Sequence, residues 1–252
     1  MKVTFLGIGT STGVPQMGCS CEVCRSNDPR DTRLRTSALL TTDSGRNILV
    51  DCGPDFRQQF LAHSDALSRI DGILFTHEHF DHASGLNEIR PLHSAQLYAE
   101  KRVAEAIRYN LPYIFSEHPY PGAPTLDLHV INPGEPFFID GQEVIPVRAI
   151  HGQLPVLGYR IGSFGYLTDI SEIEDSELSK FKGVKVFVLG ALRYKPHPSH
   201  LSVEESIEVA RRVGAEKTFF VHMSHDIGLH AEVCASLPEG MTLAYDALTY
   251  EW

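Results

Sequence analysis

The most informative stretch of the sequence is His77-Glu78-His79-Phe80-Asp81-His82, which directly follows a compact apolar strand predicted over residues 72–76. It places four side chains of metal-binding type within six positions. On an extended segment, His77 and His79 project to the same side, whereas Asp81 and His82 enter the next helical turn and can face a second point. One short segment can therefore supply ligands to two metal ions, which an ordinary solvated loop would not do.

Three more residues of the same chemical type each follow another predicted strand: His151, Asp169 and His222. A carboxylate can bridge two cations through its two oxygens, and neutral imidazoles complete the nitrogen-rich shell that zinc or a similar divalent ion prefers. Taken singly, each of these residues would be an ordinary hydrogen-bonding or capping side chain. Together with the histidine motif, they predict a dinuclear metal site.

A second cluster of metal-binding type lies in the loop at residues 18–25. Three of the 5 cysteines of the chain, Cys19, Cys21 and Cys24, form a C-x-C-x-x-C pattern there. Such short spacings are typical of zinc sites, and three thiolates need one more ligand to complete a tetrahedral shell. His225, three residues after His222, is the candidate for that ligand. The alternative is three free thiols in a flexible loop.

The composition excludes several functional classes. The chain has 252 residues, of which 42% are hydrophobic and 21% charged, and its formal net charge is -10. These values are typical of a globular protein whose surface repels nucleic-acid polymers. No window approaches the roughly 18 to 20 continuous apolar residues of a membrane span, and the apolar stretch at the N-terminus is too short for a signal peptide. We therefore expect a cytoplasmic protein with neither a nucleic-acid polymer nor a membrane as partner.

The order of elements along the chain favours a single domain over residues 1–252, because no linker, repeat or low-complexity tract interrupts it. Ser202 and Glu205 form a capping box for a helix that runs to about Val213, with Gly214 placed to end it. Segment 111–125, rich in Pro, Tyr and Phe, is a candidate lid. Further helices are predicted at 56–63 and 100–110, and strands at 3–6, 37–42, 47–50, 72–76, 144–149, 157–161, 166–168, 184–189 and 218–221.

These motifs resemble, over nearly the whole chain, those of the metallo-β-lactamase-fold hydrolases. The resemblance includes Gly7-Ile8-Gly9-Thr10-Ser11, Val50-Asp51-Cys52-Gly53 and the histidine motif, in the family's order. It implies an α/β protein, a four-layer αββα sandwich of mixed, largely antiparallel sheets with the metals at one edge. It also implies that Asp51 supports the ligand loops without binding metal. The implied ligands are His77, His79 and His151 for one metal and Asp81, His82 and His222 for the other, with Asp169 bridging.

Within that superfamily, the cysteine loop and His222-Met223-Ser224-His225 together resemble the PhnP-type phosphodiesterases, which carry a structural zinc beside a dinuclear catalytic centre. His200 matches a histidine that faces the substrate phosphate in that group, whereas His197 has no counterpart. The cofactors implied are two divalent ions, zinc or manganese, at the catalytic site and one structural zinc held by Cys19, Cys21, Cys24 and His225.

The resemblance implies a hydrolase of small cyclic or linear phosphodiesters. Two divalent cations can hold a bridging hydroxide and bind the phosphoryl oxygens. Asp81 and Asp169 would serve catalysis through the metals, and a protonated His200 would stabilise the developing charge or supply a proton to the leaving group. The expected partner is a small phosphodiester substrate, and a homodimer is an allowed state.

Four alternatives share parts of this pattern. A tRNA 3′-processing nuclease would need a basic protruding arm, which is not visible in a chain of net charge -10. Thioesterases and lactonases of the superfamily lack the three-cysteine loop. The PqqB type shares such a loop but usually has an altered metal motif. A non-catalytic metal-binding scaffold would be distinguished from the enzyme by its smaller number of bound metals.

Overall fold

The computed structural model describes residues 1–92, 94–119 and 122–252. Its strands form two seven-stranded sheets. The strands of the first half are β1 (Lys2–Gly7), β2 (Ser37–Thr41), β3 (Asn47–Val50), β4 (Gly72–Leu74), β5 (Ser94–Glu100) and β6 (Thr125–Ile131). Those of the second half are β7 (Phe137–Ile139), β8 (Gln142–His151), β9 (Leu154–Ile161), β10 (Phe164–Leu167), β11 (Val186–Gly190), β12 (Lys217–Val221), β13 (Met241–Leu243) and β14 (Thr249–Glu251). The helices are α1 (Phe56–Ala62), α2 (Ser64–Leu67), α3 (Phe80–Ala83), α4 (Lys101–Asn110), α5 (Asp175–Leu178), α6 (Val203–Val213) and α7 (His230–Ser236).

Both sheets are mixed, as predicted. The first has the order β14-β1-β2-β3-β4-β5-β6 and the second the order β13-β12-β11-β10-β9-β8-β7. The expectation of largely antiparallel sheets was wrong, because each sheet has three antiparallel and three parallel pairings among the described residues. The parallel pairs arise where a helix crosses over between two strands, as α4 does between β5 and β6, since parallel neighbours need such a connection.

Each sheet is buried on both faces. In β3, Ile48 and Val50 pack into the core between the sheets, whereas Leu49 packs into a second apolar cluster outside the first sheet. Helices α1 and α4 cover that outer face through Phe56 and Ile107. Helices α5, α6 and α7 supply buried side chains to the core at the second sheet. The layers are therefore helix, sheet, sheet and helix, which confirms the predicted αββα sandwich.

Helix α6 begins and ends as the sequence predicts. The Ser202 hydroxyl accepts the Glu205 N–H and the Glu205 side chain accepts the Ser202 N–H, so the capping box is complete. Gly214 ends the helix in the left-handed region, with φ of 71°, a conformation that glycine adopts without a steric penalty.

The region around the candidate lid differs from the sequence-based expectation. Strands β5 and β6 were not predicted, and Thr125, the last residue of the candidate lid, begins β6. Within segment 111–125, Ile114 is buried, while Tyr120 and Pro121 lie outside the described residues. Among the described helices, none has the length and hydropathy to cross a membrane.

Candidate metal centre

The predicted ligands lie at the ends of strands from both sheets. His77 follows β4, and Asp81 and His82 lie on the short helix α3 just after it. His151 is the last residue of β8, and Asp169 and His222 follow β10 and β12. Because the polar ends of these strands meet at one edge of the sandwich, residues far apart in sequence come together there.

The structure assembles these side chains into two groups that share Asp169. Within each group, one ligand atom per residue lies within 4.8 Å of all the others. The groups are His77, His79, His151 and Asp169, and Asp81, His82, Asp169 and His222. This division is the one that the sequence resemblance implies, with Asp169 common to both.

The distances across the shared carboxylate are short. Asp169 Oδ1 lies 3.0 Å from His222 Nε2, and Asp169 Oδ2 lies 3.5 Å from His82 Nε2 and 3.8 Å from His77 Nε2. Asp81 Oδ2 lies 3.3 Å from His82 Nε2 and 3.4 Å from His222 Nε2. One carboxylate thus faces imidazoles of both groups, as a bridging ligand must.

Asp51 fixes the orientation of two of the imidazoles. Its carboxylate accepts hydrogen bonds from the Thr76 N–H and hydroxyl, both at 2.9 Å, and from His82 Nδ1 at 2.7 Å. Since the Thr76 hydroxyl donates to Asp51, it is free to accept from His77 Nδ1, 3.0 Å away. With both Nδ1 atoms carrying the proton, the Nε2 lone pairs of His77 and His82 face the cluster.

Of the other imidazole ligands, His151 is oriented in the same way. His151 Nδ1 donates to the Ser199 carbonyl at 2.6 Å, which leaves its Nε2 as an acceptor. His79 is the exposed member of its group. Ring contacts bring His79 to 4.5 Å from His77 and 5.1 Å from His151, measured between ring centroids.

The donor set fits divalent cations. His77 Nε2 and His82 Nε2 are buried and have no hydrogen-bond partner in the described part of the chain. Burial lowers the pKa of His77 well below its usual value, so its imidazole is neutral and can donate a lone pair. Although burial opposes ionisation of Asp169, the imidazoles of His222 and His82 hold the pKa of that carboxyl well below its usual range. Although burial opposes a charge on His82, Asp169 and Asp51 raise its pKa well above the usual value. A divalent cation in place of that proton would compensate the buried carboxylates and leave the imidazole nitrogens as neutral donors, which suits zinc or manganese.

The backbone has positive φ angles at three residues of the site. Asp51, Asp169 and His222 have φ values of 61°, 53° and 59°, in the left-handed region that non-glycine residues rarely adopt. Gly53 is required for a different reason: a Cβ there would lie 2.0 Å from the Asp81 carbonyl oxygen. The strand ends are therefore packed directly against the ligand helix, and the surrounding structure maintains the strained conformations.

His200 lies over the ligands, whereas His197 lies beyond it. The His200 ring centroid is 4.5 Å from that of His151 and 5.1 Å from that of His222, on which it stacks. Burial lowers the pKa of His200 to about 3, so its ring is neutral at pH 7. The His197 ring is 5.1 Å from His200, and its Nδ1 contacts the Ser199 hydroxyl at 3.2 Å.

The cysteine loop and His225 form the second candidate site. Cys19, Cys21, Cys24 and His225 offer ligand atoms within 4.8 Å of one another. His225 Nδ1 lies 3.3 Å from Cys21 Sγ and 3.5 Å from Cys19 Sγ. Hydrogen bonds from the Cys24 backbone N–H and from His225 lower the pKa of Cys21 to about 6, whereas burial raises that of Cys24 to about 11. Placing three thiolates here therefore needs a cation, and the donor set suits zinc.

The residues that support these ligands were not predicted from the sequence. Thr76 lies next to the motif, but its bond to Asp51 depends on the fold. Ser199 acts through its backbone carbonyl, which carries no sequence signal. Glu78, inside the motif, is paired with Arg102 of α4, and Arg102 also donates to the Pro155 carbonyl at 2.5 Å. The position of Glu78 between two predicted ligands was the one sequence signal for its contact with Arg102.

Comparison with known proteins places this fold in a family. A model of the β-lactamase superfamily domain matches residues 46–223, which is more than half of the chain. An octanoyltransferase from Porphyromonas gingivalis is 43% identical over 252 residues, a match that covers 98% of this chain and 51% of that protein. The chain therefore spans about half the length of that relative.

Solved structures share the whole architecture. A diphosphatase from the PhnP family superimposes with a TM-score of 0.91 at 39% sequence identity, covering 100% of this chain and 97% of that one. Zinc-bound PqqB from Methylobacterium extorquens superimposes with a TM-score of 0.81 at 20% identity, covering 100% of both chains. The second likeness is one of fold alone, whereas the first supports the predicted resemblance to the PhnP type.

Proposed function

The chain belongs to the β-lactamase superfamily, and from its metal centre we propose that it is a dinuclear metal-dependent phosphodiesterase that hydrolyses small cyclic or linear phosphodiesters. The metallo-β-lactamase fold supports metal-dependent hydrolysis in general terms. The observation that carries the finer proposal is the pair of ligand groups that share Asp169, together with the 39% identity to a PhnP-family enzyme over the whole chain.

The residues named above would hold two divalent ions, zinc or manganese. His77, His79 and His151 would bind one ion, Asp81, His82 and His222 the other, and Asp169 both. When bound, such a pair supplies a water of lowered pKa and two positive charges for the oxygens of a phosphoryl group. A third ion, zinc, would occupy the cysteine site in a structural role.

The protein's own groups orient the metal ligands and keep bulk water away from them. Asp51, Thr76 and the Ser199 carbonyl hold the imidazole rings with their Nε2 atoms toward the cluster. The ligands His77, His82 and Asp169 are almost fully buried, so bulk water is kept from one side of the site. His79 is exposed and marks the open side, from which a substrate can approach.

The proposal assigns His200 to direct contact with the phosphoryl group, supported by its ring contacts with His151 and His222. The sequence-based expectation is a protonated His200. Because burial keeps the ring neutral in the free protein, His200 starts the reaction as a neutral N–H donor. An anionic phosphate beside the ring would raise its pKa and favour proton transfer to the leaving oxygen. A small diester suits the net charge of -10, since charge at the metals dominates the local field.

The direct test is hydrolysis of defined diesters. Purified protein loaded with Mn²⁺ or Zn²⁺ is incubated with bis-p-nitrophenyl phosphate and with a 2′,3′-cyclic nucleotide, and His79→Ala serves as the matched variant lacking one metal ligand. We expect metal-dependent release of product that His79→Ala abolishes or nearly abolishes. Cleavage of a thioester or lactone without turnover of either diester would overturn the proposal.

A second candidate is the hydrolysis of a diphosphate linkage. The observation that favours it is the 39% identity to a PhnP-family protein that is described as a diphosphatase. The same assay includes a diphosphate ester as substrate, and preferential turnover of that compound would select this candidate. An octanoyl thioester is the third kind of substrate in the assay. It is included because a relative about twice as long as this chain is named an octanoyltransferase.

A further inference from the structure

One short segment carries a member of both metal-binding clusters. His222 Nε2 lies 3.0 Å from Asp169 Oδ1 in the dinuclear cluster. His225 Nδ1 lies 3.3 Å from Cys21 Sγ in the cysteine cluster. Only Met223 and Ser224 separate the two histidines. A displacement of the backbone here would therefore move a ligand of each cluster.

Arg33 holds this segment from inside the protein. Its Nη1 donates to the Ser224 carbonyl at 2.6 Å and its Nη2 to the Gly228 carbonyl at 3.1 Å. Arg33 is only 1% exposed, and it forms an ion pair with Asp31 at 3.6 Å. A buried guanidinium is retained only where fixed partners compensate it, and its rigid plane sets the positions of both acceptors.

Asp31 extends the connection to the cysteine loop. Its Oδ2 accepts the Ser26 hydroxyl at 2.6 Å, two residues after Cys24. Its Oδ1 accepts the His230 N–H at 2.8 Å, at the start of α7. The Arg33–Asp31 pair therefore contacts the chain that leaves the three cysteines and the chain that leaves His225.

The segment is also held from other sides: the Ser224 N–H and hydroxyl donate to the Leu192 carbonyl at 3.0 and 3.2 Å, and Met223 bonds to the backbone just after β1. Met223 N–H donates to the Ile8 carbonyl at 3.0 Å, and Thr10 N–H donates to the Met223 carbonyl at 3.1 Å. These bonds fix the backbone of Met223, whereas Arg33 fixes the carbonyl of the next residue, Ser224. The left-handed backbone at His222, with φ of 59°, needs such restraint from its surroundings.

We propose that Arg33 is a positioning residue that couples the two metal clusters through residues 222–228. Metal at the cysteine cluster then strengthens metal binding at the dinuclear cluster, and the reverse holds equally because coupling between binding sites is reciprocal. Arg33 touches no predicted ligand side chain; it acts through the Ser224 and Gly228 carbonyls. The inference rests on the proposed metal-dependent function.

The test is a Co²⁺ titration of metal-free protein followed by absorption. Thiolate ligation at the cysteine cluster gives a charge-transfer band, whereas histidine and aspartate ligation gives only weaker visible bands, so each cluster is read separately. The variant is Arg33→Lys, which keeps the charge and loses the two-pronged donation. Its matched control is Arg30→Lys, three residues earlier, where the arginine pairs with the part-exposed Asp28.

We expect Arg33→Lys to weaken Co²⁺ binding at both clusters by about 10- to 100-fold, the usual loss when a residue supporting metal ligands is changed. Arg30→Lys should bind as the unmodified protein does. Unchanged binding in a folded Arg33→Lys protein, or a loss confined to one cluster, would overturn the inference.

A second variant decides the matter if Arg33→Lys does not fold. Cys21→Ser removes one thiolate, and coupling predicts that it also weakens Co²⁺ binding at the histidine–aspartate cluster by about 10-fold, within the usual range for coupled sites. Unchanged binding at that cluster would overturn the coupling alone. If the unmodified protein gave no histidine–aspartate band at all, the proposed function would fail first and the inference with it.

Discussion

Three imidazoles in the site, those of His77, His82 and His151, are each fixed by the group that the Nδ1 atom contacts. Asp51 orients His82 directly and His77 through Thr76, while a backbone carbonyl orients His151. Such partners set which nitrogen carries the proton and therefore which nitrogen can bind metal. At the scale of single residues, metal binding depends on these hydrogen bonds as much as on the ligands.

Replacing Asp51 by Asn tests this dependence. The amide keeps the size of the side chain but presents an N–H to one of three donors, so the orientation of His82 or Thr76 is lost. We expect metal affinity at the histidine–aspartate cluster to fall by about 10- to 100-fold, measured by competition with a chelator.

The matched control for Asp51→Asn is Asp71→Asn. Asp71 immediately precedes β4, at the opposite end from the motif, and its carboxylate also accepts a backbone N–H, that of Asn47, at 2.8 Å. If both variants bound metal with the affinity of the unmodified protein, the orienting role of Asp51 would be refuted.

Replacing His200 by Ala separates catalysis from metal binding. His200 lies 4.5 Å from the His151 ring, and we place it over the metals as a hydrogen-bond donor to phosphate. We expect kcat for diester hydrolysis to fall by about 10²-fold, the usual cost of losing one donor to the transition state, with bound metal unchanged. The control is His129→Ala on the exposed face of β6, and equal losses in the two variants would count against the assignment.

At this scale the sequence predicts ligands better than their supports. Four ligand-type residues in one motif and three more after strands are visible without a structure, because metal binding needs particular side chains. The Ser199 carbonyl and the Arg33 guanidinium act through contacts made only when distant segments pack together. No residue type or spacing identifies them beforehand.

At the scale of elements, strand ends and helix caps place the site. Helix α6 follows His200 by three residues, and its capping box fixes where the segment carrying His200 stops and the helix starts. The box bonds only Ser202 and Glu205, so its contribution is to the stability of the helix rather than to the metals.

Replacing Ser202 by Ala should therefore lower stability without lowering metal content. The loss of an N-cap side chain costs about 1 kcal/mol in free energy of unfolding, which denaturant titration resolves. The control is Ser176→Ala, where an exposed hydroxyl donates to the Glu174 carboxylate at 3.4 Å, and its effect should stay within about 0.5 kcal/mol. Equal destabilisation by the two changes would contradict the capping assignment.

Elements with a strong local signal were predicted, and those set by pairing were not. Helix α6 has two caps and a clear apolar face, and β3 is bounded by a turn and a polar strand end. Strand β5 reads Ser94–Glu100 with a Gln, a Glu and a Ser among its residues, and it is a strand because β4 and β6 flank it in parallel. Neither neighbour is evident from residues 94–100 themselves.

At the scale of the whole molecule, the two sheets bring ligands from both halves of the chain to one edge. The first sheet supplies the motif after β4, and the second supplies the residues after β8, β10 and β12. The layered fold was predictable from the order of motifs through its family resemblance. The equal number of parallel and antiparallel pairs was not, because it depends on how helices cross between strands.

The central claim is that this edge holds two catalytic metal ions which make the protein a phosphodiesterase. The most direct measurement is a stepwise Mn²⁺ titration of protein that carries only its cysteine-bound zinc, with bound metal and bis-p-nitrophenyl phosphate hydrolysis followed together. We predict that hydrolysis rises as the histidine–aspartate cluster fills and reaches its plateau at about three metals per chain, zinc included. Saturation at a single Mn²⁺ per chain, or a histidine–aspartate cluster filled with Mn²⁺ that does not hydrolyse the diester, would contradict the account.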